Sequence, residues 1–338
     1  MAITVKQFIE GIFLEEVKIA LSQIQDPIDF LNSKIVYSDT ETIVRQIPID
    51  VSAVTRVDKY GDISGTAHKA SYADRTYADD TYTMPYSNVV QFTIPFDRLY
   101  EFGLTKEMLS QPEDSLSAQN LAKFSEKARE EFAKLIRKIL RNRKAEMVTA
   151  LKELEAATHG ARKPLGCEIV DVVGTRSTYW PYTNQLSTAL DEDSYKVAVD
   201  VFASAQKTVD GADFGASRPV ILLHASSYTL AESIHLPELS VNELYRTPGG
   251  SIEIKAGSVK AVGVYGDSDN QDDWICLGAD HQIYRKAMRD PFNGETNGII
   301  TRFYVSEDNG EVVFEVRDRS VVVIDSPIDI LKSVVPGA

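Results

Sequence analysis

The chain has few of the residues that build metal sites and disulfide frameworks. Its 338 residues include only two cysteines, Cys167 and Cys276, and five histidines. The cysteines form no CxxC motif, so their spacing indicates neither a zinc site nor a disulfide scaffold. Such sparse use of cysteine is typical of a protein that works in a reducing compartment.

Segments that direct a chain into a membrane are missing as well. A signal peptide needs a basic flank and an unbroken apolar stretch, whereas the first residues carry a single Lys6 and are interrupted by Glu10, Glu15 and Glu16. The apolar run at residues 220–223 is far shorter than the roughly 20 residues that cross a bilayer. We therefore expect no membrane partner.

A surplus of positive charge is also absent. The chain has 50 acidic and 36 basic residues, which gives a net charge of −14. A field of that sign repels nucleic acid and anionic membranes, so any such contact must be local. Hydrophobic residues make up 43% of the chain, enough for the cores of about two domains.

The usual motifs of catalysis and nucleotide binding do not occur. There is no HExxH, GxSxG, P-loop or GxGxxG sequence. Asp267, Asp269, Asp272 and Asp273 are spaced somewhat like a calcium loop but lack its glycine. His224 ends an apolar run and is expected to be a structural histidine. The sequence thus predicts no catalytic residue, no metal and no cofactor, and we expect a protein that is not an enzyme.

The amino-terminal segment has the period of a one-faced helix. Apolar residues recur at steps of mostly three and four over residues 4–25, and Pro27 ends the pattern. Two interpretations are open at this point. The segment is either a first core helix or an arm that lies on a neighbouring subunit.

Residues 35–96 lack helical periodicity and contain two β-rich stretches, 43–57 and 87–96. We interpret these as the strands of a long hairpin whose polar tip spans roughly residues 58–86. The tip has few aliphatic residues, so it is either a floppy surface loop or an element that projects until a neighbour packs on it. Tyrosine offers large contact area at low entropy cost, so a contact is favoured by five tyrosines: Tyr60, Tyr72, Tyr77, Tyr82 and Tyr86.

The longest periodic segment spans residues 116–158 and predicts one helix that ends before Gly160. Between residues 123 and 144 it carries nine Lys and Arg against three Glu. This run is either a solvated helix face or a surface for an anionic partner, which would be nucleic acid or an acidic assembly protein. The candidate residues of such a surface are Arg137, Lys138, Arg141 and Arg143.

After Gly160 the chain alternates short strands and helices, the pattern of an α/β domain. Asp191, Asp193 or Ser194 is expected to cap a helix that carries apolar residues as far as Val209. An Asn309-Gly310 pair predicts a turn between strands at 299–305 and 311–324. Further strands are predicted at residues 219–224, 251–255, 259–265, 274–277 and 282–288.

The most specific motifs lie in residues 280–323. In chain order they are Ile283-Tyr284-Arg285, Arg289-Asp290-Pro291-Phe292, Gly298, Arg302-Phe303-Tyr304-Val305 and a Gly310 turn into residues 312–316. With the order of segments along the chain, these motifs resemble the major capsid protein of tailed bacteriophages, which has the Hong Kong 97-type fold. A weaker similarity covers residues 219–234, which look like a strand and short helix of the family's axial domain.

The resemblance implies an α+β, Hong Kong 97-like fold with five segments. These are an N-terminal arm (1–34), an extended hairpin loop with flanking strands (35–100), a peripheral domain with a spine helix (101–189), an α/β axial domain (190–300) and returning strands (301–338). The hairpin tyrosines are then interface residues, and the four candidate cations of the long helix face the shell interior.

The implied function is that of a structural major capsid protein that self-assembles into an icosahedral head around double-stranded DNA. Its partners would be further copies in pentamers and hexamers, separate scaffolding, portal and decoration proteins, and packaged DNA bound without sequence specificity. It would be located in the virion and assembled in the host cytoplasm. Two alternatives stay open: an encapsulin-like compartment that packages an enzyme cargo, and an α/β enzyme with an unrecognised site.

Overall fold

A computed structural model describes most of the segments discussed above. The described residues are 5–22, 35–48, 77–84, 88–112, 117–155, 169–170, 184–200, 220–227, 230–231, 246–247, 250–251, 260–265, 271–278, 281–290, 296–325 and 330–335. None of the helices in these ranges is long and apolar enough to span a bilayer.

The described residues form an α+β structure. The α-helices are α1 (Val5–Ser22), α2 (Ala118–Lys152) and α3 (Glu192–Asp200), and short 3-10 helices occur at Phe96–Phe102, Glu107–Ser110 and Ala225–Ser227. The strands are β1 (Ile35–Ser38), β2 (Thr42–Pro48), β3 (Tyr77–Thr83), β4 (Asn88–Pro95), β5 (Gln185–Leu186), β6 (Val220–His224), β7 (Arg246–Thr247), β8 (Gly250–Ser251), β9 (Lys260–Tyr265), β10 (Trp274–Leu277), β11 (Ile283–Met288), β12 (Ile299–Ser306), β13 (Glu311–Asp318), β14 (Ser320–Ile324) and β15 (Ile330–Ser333).

The chain folds as two compact units, each built from separate stretches of sequence. Unit 1 contains Met1–Ile43, Thr83–Met147 and Arg285–Val321. Unit 2 contains Val44–Tyr82, Val148–Tyr284 and Val322–Ala338.

The core of unit 1 lies between two helices and an antiparallel sheet of order β12-β13-β4. Phe132 of α2 lies at its centre, with ring centroids 4.3 Å from Phe13 of α1 and 4.8 Å from Phe314 of β13. Because Val5, Ile9, Ile12 and Phe13 of α1 are buried in this core, the structure supports the core-helix interpretation. The assignment of residues 1–34 to an N-terminal arm that contacts a neighbouring subunit stays a prediction.

A tight turn joins β12 to β13, as the sequence predicts. The loop has four residues, and the Gly310 N–H donates to the carbonyl of Glu307 across it at 3.3 Å. Only Gly310, with φ of 66°, adopts a left-handed conformation in the loop. This arrangement is a four-residue hairpin loop with glycine at its last position.

The prediction of one strand over residues 311–324 is wrong because the strand breaks at Arg319. The Arg319 N–H donates to the carbonyl of Gly298, and the Arg319 carbonyl accepts from the N–H of Met288. These bonds carry the chain from the β12-β13-β4 sheet into a second sheet of order β1-β11-β14. Gly298 has φ of 77°, and a Cβ there would lie 2.8 Å from the Arg319 carbonyl oxygen, so close packing requires glycine at this crossing.

The predicted hairpin of residues 43–57 and 87–96 has different strand partners in the structure. β2 pairs with β3, which lies inside the predicted tip, while β4 pairs with β13. The ribbon closes at its base, where the Met84 N–H donates to the carbonyl of Glu41 at 2.8 Å. The sequence pattern missed β3 because that strand, Tyr77–Thr83, is polar throughout apart from its tyrosines and one alanine.

Unit 2 contains a mixed sheet of order β5-β15-β10-β6-β9. Every residue of β10 is buried, and the Trp274 Nε1–H donates to the carbonyl of Thr188 at 2.9 Å. Helix α3 begins with reciprocal hydrogen bonds, in which Asp191 accepts from the Ser194 N–H and the Asp191 N–H donates to Ser194 Oγ. The predicted strands at 219–224, 259–265, 274–277 and 282–288 are confirmed within one residue at each end.

Candidate interaction surface of the long helix

Helix α2 is the longest element of the described chain, with 35 residues and a length of about 52 Å. It begins after Ser117, whose hydroxyl accepts a hydrogen bond from the Asn120 N–H at 3.1 Å, as an N-cap does. It ends at Lys152, where the Lys332 ammonium donates to the Lys152 carbonyl at 2.6 Å and to Glu155 at 2.8 Å. The helix predicted over residues 116–158 is therefore confirmed, although it ends six residues earlier.

One face of α2 is buried along most of its length. Its residues follow each other at steps of mostly three and four, which places them on one side of the helix. They are Phe124, Ala128, Phe132, Leu135, Ile136, Ile139, Arg143 and Met147.

Arg143 is the charged member of this buried face. It is 4% exposed, and its guanidinium makes a two-pronged contact with Asp318, from Nε to Oδ2 at 2.8 Å and from Nη2 to Oδ1 at 2.6 Å. The same Nη2 donates to the carbonyl of Asn297 at 2.6 Å. The assignment of Arg143 to the exposed cationic surface is therefore wrong, because Arg143 lies on the side of α2 that faces the interior of unit 1.

Arg143 belongs to a larger buried network. The fully buried Arg285 donates from Nη1 to Glu146 at 3.1 Å and to Ser320 Oγ at 2.9 Å, and from Nη2 to the Arg143 carbonyl at 3.1 Å. Ser320 donates in turn to Asp318 at 2.7 Å. Burial, together with the neighbouring positive charge of Arg143, lowers the pKa of Arg285. The positive charges of Arg143 and Arg285 are thus balanced by the negative charges of Asp318 and Glu146. Residues of the 280–323 segment supply much of this network.

Most other cations of the helix also have partners within the subunit. Glu15 and Glu16 accept from Arg129 and raise its pKa, and Glu131 and Glu130 do the same for Lys134. Lys123 donates to the Tyr100 carbonyl at 3.3 Å, and Lys127 lies 5.5 Å from the centroid of the Phe102 ring. Lys144 makes interactions as well. These residues serve the subunit's own structure.

Arg137, Lys138 and Arg141 differ from those cations. All three are exposed, and no hydrogen bond or ion pair joins them to another part of the chain that the structure describes. At 100° per residue they fall within about 100° of the helix circumference, opposite the core. We call them the cationic triplet. The triplet is the part of the predicted surface that the structure leaves available to a partner.

The structure describes two of the five tyrosines that were predicted to form a subunit contact. Tyr77 and Tyr82 lie in β3, whereas Tyr60, Tyr72 and Tyr86 lie outside the described residues. Their role in a subunit contact stays a prediction.

A cleft of about 710 Å³ opens between α1 and the β12–β13 hairpin. Sequence reasoning missed it, although the exposed Arg302 and Tyr304 lie on the opposite face of β12 from the buried Phe303 between them. The lining combines two cations, one carboxylate and apolar side chains: Glu10, Phe13, Leu14, Thr301, Arg302, Phe303, Tyr304 and Arg317.

Only two residues of the acidic cluster, Asp272 and Asp273, lie in the part of the chain that the structure describes. Asp272 is exposed, whereas Asp273 is buried and accepts from the Val335 N–H at 3.0 Å. Asp267 and Asp269 lie outside the described residues, and no group of three or more metal-binding side chains occurs within them. His224 is buried and its Nδ1 lies 2.7 Å from Ser226 Oγ, which fits the expected structural role.

Searches against family models and curated proteins find no match to this chain. Among solved structures, the capsid asymmetric unit of cyanophage A-1(L) is 12% identical over 90% of this chain and 91% of that one, with a TM-score of 0.51. A phage-related protein from Bordetella bronchiseptica is 11% identical over 95% of both chains, with a TM-score of 0.46. The holo-SrpI encapsulin of Synechococcus elongatus is 10% identical over 90% of this chain and 85% of that one, with a TM-score of 0.42.

Identities this low establish the fold alone, and of these three structures only the cyanophage capsid has a TM-score above 0.5. That match extends over nearly the whole of both chains, so it concerns the complete architecture and not one shared motif. The chain therefore has the α+β fold of tailed-phage capsid proteins, the Hong Kong 97-type fold that the motifs of residues 280–323 predict.

Proposed function

We propose that the chain is a major capsid protein that self-assembles into an icosahedral phage head enclosing double-stranded DNA. The observation that carries this proposal is the capsid fold over 90% of the chain. On this proposal the protein is structural and not an enzyme, and its place is the virion.

The β2–β3 ribbon supports self-association. It pairs with no other strand among the described residues. A two-stranded ribbon of this kind is at best marginally stable in water, so it gains stability when another chain covers it. The sequence of β3, which is polar apart from its tyrosines and one alanine, also gives that strand little to bury against its own subunit.

The proposal includes the five-segment division of the chain, with the ribbon as the extended loop and α2 as the spine helix. Copies of the chain would form pentamers and hexamers, with separate scaffolding, portal and decoration proteins as further partners. Closed symmetric shells need several different contacts per subunit. On this proposal the ribbon, which pairs with no further strand among the described residues, supplies one of them.

Sedimentation velocity and negative-stain microscopy of the purified chain test the proposal, with and without a co-expressed scaffold. We expect closed shells or their capsomers. Deletion of residues 44–82 removes the ribbon, and the Glu41–Met84 hydrogen bond shows that a short Gly-containing link can join the two ends. This variant should keep a native far-ultraviolet spectrum but stay monomeric. Shells of normal yield from the deletion variant, or only 37.5 kDa particles from the intact chain, would contradict the proposal.

The cleft between α1 and the β12–β13 hairpin favours a second candidate, an encapsulin-like compartment. Arg302, Tyr304 and the apolar lining suit a short peptide with apolar and acidic side chains, the kind of tag by which a cargo enzyme would be retained. Mass spectrometry and nuclease treatment of particles purified from the native source separate the two candidates. DNA inside supports the phage head, and a bound enzyme with little nucleic acid supports the compartment.

A further inference from the structure

We propose that the cationic triplet Arg137, Lys138 and Arg141 is a binding site for the phosphates of a DNA backbone. The inference rests on the proposed function for its ligand, the genome inside the shell, and on the geometry of α2 for the site. It assigns a role to three side chains that the subunit's own structure does not use.

The first argument is the imbalance of charge at the triplet. The chain carries 14 more acidic than basic groups, and three exposed cations elsewhere, Lys106, Lys196 and Arg289, each form an ion pair. From residue 132 to residue 145, however, α2 has no acidic residue at all. An acidic protein that keeps a cluster of positive charge uncompensated has a local surface for polyanions, despite the repulsion from its overall field.

The second argument favours phosphate over an acidic protein. Protein interfaces have an apolar core with aromatic and aliphatic anchors. The described chain has eight exposed large hydrophobic residues, and none of them lies on α2. Non-specific DNA binding needs no such anchors, because it is driven almost entirely by the release of counterions.

The third argument is the rigidity of the support. Arg137 and Arg141 are about 6 Å apart along the axis of α2, a length that corresponds to about two phosphates of one DNA strand at about 3.4 Å of duplex axis each. Ile136 and Ile139, on the opposite face, are buried in the core, and Arg143 is fixed by Asp318. The backbone of the triplet is therefore held on one side of a helix whose opposite side is fixed in the core.

The test compares two variants of the full chain that carry the same charge. One replaces the triplet by glutamine (R137Q, K138Q and R141Q), and the control replaces three exposed, ion-paired cations elsewhere (K106Q, K196Q and R289Q). Fluorescence anisotropy with a 30-base-pair duplex, titrated at several salt concentrations, gives the affinity and its salt dependence. Poly-L-glutamate of similar charge serves as the protein-like competitor.

We expect the triplet variant to bind the duplex about tenfold or more weakly at low salt. The slope of log K against log salt is negative, and its magnitude should decrease by about 2 to 3 in the triplet variant, since each phosphate contact contributes about 0.9. The control variant should retain the slope of the unaltered chain. Equal losses in both variants would overturn the inference, because overall charge would then explain binding. Triplet-dependent binding of poly-L-glutamate without binding of DNA would also overturn it and identify an acidic protein as the partner.

Sedimentation of the same samples separates this inference from the proposed function. A chain that binds DNA through the triplet but never forms shells contradicts the proposed function and leaves the phosphate site in place. Shells that bind DNA equally well without the triplet contradict the phosphate site alone.

Discussion

Replacement of Arg143 by methionine should strongly destabilise unit 1. The change leaves the Asp318 carboxylate, which is fully buried, with the Ser320 hydroxyl as its remaining side-chain donor, and it also leaves the Asn297 carbonyl without its guanidinium donor. Removal of one partner from a buried ion pair typically costs about 3–5 kcal/mol. Because the positive charge of Arg285 still acts on Asp318, we expect the lower end of that range, about 3 kcal/mol.

Urea unfolding followed by circular dichroism at 222 nm measures the effect, since α1 and most of α2 belong to unit 1. With a slope of about 1–3 kcal/mol per molar urea, the midpoint of the unfolding transition of unit 1 should move to a urea concentration about 1–3 M lower. The matched control is Arg141→Met on the exposed side of the same helix, for which we expect a change of about 0.5 kcal/mol or less.

A double variant makes the reasoning refutable. Arg143→Met combined with Asp318→Leu replaces the pair by apolar groups, and such replacements of whole buried pairs are often neutral or stabilising. The double variant should therefore be more stable than either single variant. If Arg143→Met unfolds at the same urea concentration as Arg141→Met, the buried pair does not stabilise unit 1 and the argument fails.

Three further results are expected. Phe132→Ala should lower the unfolding free energy of unit 1 by about 3–5 kcal/mol, measured in urea, because the ring is fully buried; a loss below about 1 kcal/mol would contradict the described aromatic packing. Burial raises the pKa of the Cys276 thiol, so in a Cys167→Ser background no thiol should react with Ellman's reagent until unit 2 unfolds, and rapid reaction in native buffer would refute that burial. Burial opposes ionisation of Glu315, but hydrogen bonds from Arg317 and Gln91 outweigh it and lower the pKa of Glu315 below 4.5. The ionised Glu315 therefore stabilises the folded state fully above pH 4.5, and this stabilisation is lost as the pH falls through the lowered pKa. Glu315→Gln should make the unfolding free energy depend less on pH in this acidic range, and an unchanged dependence would count against this account.

The long helix shows how far sequence reasoning reaches. Its periodicity predicts both the helix and the side that is buried, because apolar residues repeat at steps of three and four from Phe124 to Met147. The same period places Arg143 on the buried side, four residues after Ile139. Charge counting along the chain cannot separate Arg143 from Arg141, since a buried arginine is recognised only through its partner, and Asp318 lies 175 residues away.

The strands show a second limit. Short apolar runs such as β6 and β10 are correctly predicted because every residue of a buried strand is hydrophobic or nearly so. The pairing of β2 with β3 and the break at Arg319 are not, because both depend on long-range backbone bonds. The cationic triplet could be predicted as part of a basic run, but its lack of partners could not, since partners on other elements are invisible in the local sequence.

The order of strands also constrains how the chain can be made in the cell. β15 lies between β5 and β10 in the interior of its sheet, and the sheets of β4 and β1 likewise require β13 and β11. None of these sheets can close until strands from late in the sequence have left the ribosome, and contacts over such long separations form slowly. A nascent chain therefore emerges from the ribosome before its sheets are complete. If the chain assembles as proposed, only complete subunits, and not chains still being synthesised, offer a finished surface to a neighbour.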